Sequence, residues 1–250
     1  MAGSWGSIPD ISTARYGHAA TSDGNGNIYA IGGTTGQATS SVEKWDGSSW
    51  SNIPDMSTAR FTHAATSDGD DNIYVIGGKD QDAQATSSVE KWDGSSWTSL
   101  PNIPTKRENI AAASDTSGNI YAIGGSDGVD NLSSVEKWDG SSWTSLPNMS
   151  TKRVDLAAAS DGNDNIYAIG GEKEVGNVLK SVEKWDGSSW TTIASMSNER
   201  KVHASTSDAN GNIYAIGGAN VQFATIYSSV EKYTGPSAPS APTGLTLTVQ

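Results

Sequence analysis

Five arginines, Arg15, Arg60, Arg107, Arg153 and Arg200, recur at spacings of 45, 47, 46 and 47 residues. Guanidinium groups gathered in one ring would offer bidentate donors to a carboxylate or sulfate. The same arginines would serve equally as structural donors, each to an acidic or backbone group of its own or a neighbouring unit. The residue after each arginine is Tyr16, Phe61, Glu108, Val154 or Lys201, and the next is Gly17, Thr62, Asn109, Asp155 or Val202. These are the most varied positions of an otherwise near-identical array. Such variation fits a ligand surface, and it equally fits drift at exposed sites. Glu108 and Asp155 fall in adjacent units and would in principle supply an acid/base pair; two solvated carboxylates are the plainer account.

Other candidates for chemistry are thinner. His18, His63 and His203 share one repeat position with Ile110 and Leu156. A site that accepts hydrocarbon favours packing over metal ligation. The acidic turns at 23–27 and 68–72 faintly resemble calcium loops but lack the distal bidentate glutamate. Asx-stabilised hairpins explain every copy, so calcium is the only cofactor worth naming, and a weak one. No unit supplies a nucleophile–base pair.

The elements that position these residues are legible from the repeat. The run Asn27-Ile28-Tyr29-Ala30-Ile31-Gly32-Gly33 returns at 72–78, 119–125, 165–171 and 212–218. Each copy reads as a short buried strand stopped by a glycine pair. From the second glycine to the next valine the distances are 9, 11, 10, 11 and 12 residues, and all length variation lies there. Packed strands require constant length, and an exposed loop tolerates change. One unit resolves into four strands: 18–22, 28–31, 41–45, and a fourth from Trp50 to near Pro54. Gly, Asn and Asp supply the turns between them. Four strands in up-and-down order make one blade, and blades around an axis make a propeller.

Within that frame the first strand, rich in Ala, Ser and Thr, belongs at the crowded axis. Trp45 and Trp50, flanking a four-residue turn, are placed to pack across a hairpin. All nine tryptophans belong to the repeat. The aromatics left over are Tyr16, Phe61, Phe223 and Tyr227, which strand order puts near one end of the propeller. They would form a contact surface, or Tyr16 and Phe61 would plug the channel mouth.

The segment 4–9 matches a fourth strand, and 229–233 a third strand without a fourth. The N-terminal strand is therefore expected to close the last blade. Residues 1–235 form the propeller. Residues 236–250 read as a Pro/Ala/Ser linker and an unpaired terminal strand or disordered tail; 243–250 resembles the opening strand of a fibronectin type III domain.

Composition narrows the partners. The 250-residue chain carries a formal charge of −12, which argues against nucleic acid and against an anionic membrane. No apolar run reaches membrane-spanning length. The absence of cysteine removes disulfides and thiolate chemistry.

The Asn-Ile-Tyr-Ala-Ile-Gly-Gly run, the later Val-Glu-Lys-Trp-Asp and the following Trp resemble the kelch repeat over about residues 5–235. WD40 shares the Trp-Asp pairs but lacks the doubled glycine. The resemblance implies an all-β, five-bladed kelch-type β-propeller with four-stranded antiparallel blades, fewer blades than is familiar for kelch. It also implies a binding platform for most members and an enzyme for a minority. Of those enzymes, the copper oxidases need a cysteine this chain lacks; a sialic acid epimerase type of activity does not. The expected function is a non-enzymatic module, monomeric, recognising a protein segment or glycan on the face formed by the loops between strands two and three and between blades. A carbohydrate-active enzyme and a structural spacer of a surface protein are the alternatives. An extracellular or cell-surface origin is expected from the fibronectin-like end.

Overall fold

A computed structural model describes residues 7–235. Nineteen short strands form five sheets set around one axis. The first blade comprises β1 (Ala19–Ser22), β2 (Ile28–Ile31), β3 (Val42–Trp45) and β4 (Trp50–Ile53). The second comprises β5 (Ala64–Ser67), β6 (Ile73–Ile76), β7 (Val89–Trp92) and β8 (Trp97–Leu100). In the third are β9 (Ala111–Ser114), β10 (Ile120–Ile123), β11 (Val135–Trp138) and β12 (Trp143–Leu146). In the fourth are β13 (Ala157–Ser160), β14 (Ile166–Ile169), β15 (Val182–Trp185) and β16 (Trp190–Ile193). The fifth has β17 (Ala204–Ser207), β18 (Ile213–Ile216) and β19 (Val230–Tyr233). Neighbours pair antiparallel in chain order within every blade, as the expected meander requires. The one helical element among the described residues is a 3-10 turn at Val221–Phe223, so no helix there could cross a membrane.

The pleat explains the apolar runs. Residues alternate between the two faces of a sheet, and here both faces are covered by neighbouring blades. Tyr29 and Ile31 meet Ile73 and Val75 of the next blade, joined by Trp92 and Trp97. The same cluster recurs between blades two and three, three and four, and four and five. Each fully buried Ile or Val contributes roughly 1.5–3 kcal/mol. The tryptophans pair across the outer hairpin as expected, with Trp45 and Trp50 centroids 5.7 Å apart. The indole N–H of Trp97 also donates to the Pro54 carbonyl of the preceding blade, as Trp143 does to Pro101.

The glycine pair has a steric cause. Gly77 and Gly78 have φ of +63° and +96°. A Cβ on Gly77 would stand 2.5 Å from the Arg107 carbonyl oxygen of the next blade. Gly78 donates its N–H to that same carbonyl at 2.7 Å, and the contact repeats from Gly33 to Arg60, Gly125 to Arg153 and Gly171 to Arg200. Backbone therefore meets backbone at each of these four junctions, which only glycine allows.

The junction between blades five and one differs. Among the described residues no such bond joins Gly218 to Arg15. Ile28, Ile216 and Val230 are 40, 40 and 55 % exposed, although their counterparts in the other blades are buried. Over the fourth blade a cavity of 210 Å³ lies beside Ala194, Met196 and Tyr233, whereas Trp97, Trp143 and Trp190 pack against the three preceding cores. The fifth sheet has three strands among the described residues. Of the segment 4–9 expected to complete it, residues 4–6 lie outside the described residues and residues 7–9 form no strand; the expected linker and terminal strand, 236–250, lie outside the described residues. Pro9 does accept the Trp50 indole N–H at 2.9 Å, as Pro54 accepts that of Trp97.

Candidate functional site

The arginine ring is structural, which corrects its inclusion in the ligand surface. Each guanidinium is at most 1 % exposed and pairs with the glutamate of strand three in its own blade: Arg15–Glu43, Arg60–Glu90, Arg107–Glu136, Arg153–Glu183 and Arg200–Glu231, at 2.6–3.0 Å. Backbone carbonyls take further donors. Nη1 of Arg60 bonds the carbonyls of Gly77 and Ser88, and the same two bonds recur in every blade. A buried guanidinium is tolerated only when paired and hydrogen-bonded, and all five are so held through their Nη atoms, with the Nε of Arg200 left without a partner. The Arg200 guanidinium also lies 5.0 Å from the ring centre of Tyr227, which half-buries that tyrosine.

Two residues beyond each arginine, the chain forms a collar around the axis. Thr62 donates its N–H to the Gly17 carbonyl, Asn109 to Thr62, Asp155 to Asn109 and Val202 to Asp155, at 2.7–3.1 Å. All five have left-handed backbone, with φ from 47° to 61°. The collar is thus made by backbone, and its side chains are free to vary. Below it, small residues of the five inner strands line a central cavity of 390 Å³. No bond between Gly17 and Val202 closes the ring among the described residues.

Outside the collar, the residue after each arginine pairs in a short bridge with the residue after the glycines: Tyr16 with Thr34, Phe61 with Lys79, Glu108 with Ser126, Val154 with Glu172 and Lys201 with Ala219. Two ion pairs cross from one blade to the next. Lys79 meets Glu108 at 2.8 Å, and Glu172 meets Lys201 at 2.6 Å, the same two positions with the charges exchanged. Glu108 is 8 % exposed, so it is not the solvated carboxylate expected. Its charge is held by Lys79, which sequence reasoning missed along with Glu172. Asp155 differs, because no ion pair claims its carboxylate among the described residues. Burial pushes its pKa above the ordinary carboxylate value, against the pull of Lys201 and Lys79.

The same face carries apolar surface. Tyr16, Val202, Phe223 and Ile226 are 68, 58, 55 and 76 % exposed. The 2–3 loops of blades three and four add Val129 and Val175, 87 and 99 % exposed. Phe61 is half-buried beside Gly17, and Val154 is buried. Phe223 has the Lys201 ammonium 5.5 Å from its ring centre. Of the expected site residues, then, Tyr16 and Phe223 are open to solvent. Phe61, Asp155, Lys201 and Tyr227 are half-buried, and Glu108 and the arginines are inside.

The histidines and acidic turns have local roles. The His63 ring lies beneath Gly32 of the preceding blade, where Leu156 lies beneath Gly124. In the turns, Asp23 accepts the N–H groups of Asn25 and Asn27, the Asn27 amide and the Tyr29 hydroxyl. Its oxygens are occupied by the hairpin, and Asp68 and Asp115 repeat the pattern.

A ring of antiparallel blades joined through glycine pairs and a backbone collar defines a β-propeller. The kelch motif matches residues 14–57, 60–104, 116–150 and 154–197, and the chain belongs to the kelch family. No curated protein matches it in sequence. Among solved structures, that of YjhT superposes with a TM-score of 0.76 at 14 % identity, covering 92 % of this chain and 88 % of that one. A fungal alcohol oxidase of the AA5 family, solved in complex with copper, superposes at 0.56 with 17 % identity, covering 83 % of this chain and 59 % of the oxidase. At such identities the likeness is one of fold.

Proposed function

We propose that this propeller is a non-enzymatic binding module that recognises a protein segment on the face carrying the collar and the 2–3 loops. The observation that carries this reading is the gathering of exposed Tyr16, Val129, Val175, Val202, Phe223 and Ile226 on one face of an otherwise polar repeat. Apolar side chains clustered at a rim mark contact surfaces. Selecting peptides from a displayed library tests it. Tyr16→Ala and Phe223→Ala should each weaken the selected peptides by about tenfold. Affinity unchanged in both variants would remove this face from the account.

A second reading is a carbohydrate-active enzyme centred on Asp155. It is favoured by the raised carboxyl pKa near the axis, the kind of perturbation that proton transfer requires. Incubation with acidic and neutral glycans separates the two: turnover supports the enzyme, and glycan capture without product replaces the peptide by a sugar.

A further inference from the structure

The mouth of the collar holds one charge more than it balances. Lys79 is matched by Glu108, and Lys201 by Glu172, at salt-bridge distance. Asp155 is left over. Its backbone N–H donates to the Asn109 carbonyl and its own carbonyl accepts from Val202, so it stands in the collar near the axis rather than on an outer rim. The Thr62 hydroxyl is buried with no partner among the described residues. Thr62, Asn109 and Asp155 follow one another in the collar, so an unpartnered hydroxyl, an amide and a carboxylate without an ion pair stand side by side at its mouth. The cavity beneath is lined by Ser, Thr and Ala and supplies no cation.

We infer that the collar mouth binds a cationic side chain, the ammonium or guanidinium of a lysine or arginine in a partner protein, with Asp155 as its counter-ion. This rests on the reading of the face as a peptide-binding surface and names the residue that enters it. A donor with several N–H groups satisfies the Asp155 carboxylate, the Thr62 oxygen and the Asn109 carbonyl together. The formal charge of −12 draws such a segment in from a distance. The apolar rim then holds the flanking residues.

The test is a titration of isotopically labelled protein with Nα-acetyl-lysine methylamide, followed by amide NMR shifts. The uncharged norleucine analogue and Asp155→Asn are the comparisons. Asparagine keeps the left-handed backbone, as Asn109 shows at φ 47°, so the variant preserves the collar. The lysine probe is expected to shift the amides of Asn109, Asp155 and Val202. The norleucine probe and the Asp155→Asn protein should each bind about tenfold more weakly or not at all. Equal response to both probes, unchanged binding by Asp155→Asn, or no response to lysine overturns the inference. Library peptides that need Tyr16 and Phe223 but carry no basic residue would overturn it while leaving the peptide-binding face standing.

Discussion

Arg60 and Glu90 meet at 2.6 Å with side chains 0 and 2 % exposed. The pair ties the segment entering the second blade to its third strand, and Glu90 also accepts the backbone N–H of Ser57 and Thr58. Glu90→Ala would strand a guanidinium in the interior and leave those donors unpaired. The expected loss is about 3–5 kcal/mol by denaturant unfolding. Arg60→Lys should also destabilise, because an ammonium cannot span both carbonyls and the carboxylate. Sulfate should leave the midpoint of Arg60→Lys as far below wild type as before; rescue by sulfate would mean that the ring can hold anions.

His63 predicts an acid weakness. Burial, with the Arg60 charge beside it, lowers its pKa from 6.5 to about 3; burial and Arg200 lower that of His203 to about 4. The folded state favours neutral imidazole, so this stability is complete above pH 6.5 and is lost as pH falls through the unfolded value toward the folded one. His63→Leu, copying Leu156, should flatten the decline between pH 6.5 and 4. Parallel melting curves for both proteins across that range would contradict the burial described.

Val202 sits at φ 52°, a conformation that β-branched residues avoid. Gly17 holds the corresponding place in the first blade at φ 61°. Val202→Gly should therefore raise stability by about 1 kcal/mol. A fall in thermal midpoint would show that the valine contributes more through contact than its backbone costs.

The cavity beside Tyr233 bears on how the ring ends. Trp97, Trp143 and Trp190 pack against the first three cores. If the segment 4–9 completes the last sheet, Trp5→Ala should cost about 3–5 kcal/mol in chemical denaturation. Wild-type stability in that variant would rule out this mode of closure.

The strands and turns were legible because five copies agree on which positions are apolar, glycine or polar. The strand Ile28–Ile31 appears where the sequence put it, and the first and third strands begin one residue later than expected. The arginines illustrate the limit. Their regular spacing fitted both a ligand ring and an internal donor set, and only the strand-three glutamates decide between these. Lys79–Glu108 and Glu172–Lys201 left a trace in the sequence, a charge pair exchanged at two repeat positions, but those positions lie in different blades. The collar left almost none. It is a backbone feature, and Gly, Thr, Asn, Asp and Val all adopt it. The exposed valines at 129 and 175 were equally silent, since a lone apolar residue in a loop carries no periodicity.

The face that engages a partner can be read directly. Amide hydrogen exchange of the protein, alone and saturated with a selected peptide, reads both faces at once. Slowed exchange at Tyr16, Val129, Val175, Val202 and Phe223, with the turns at 23–27 and 68–72 unchanged, is the predicted result. Protection confined to those turns, or to the outer tryptophan hairpins, would contradict it.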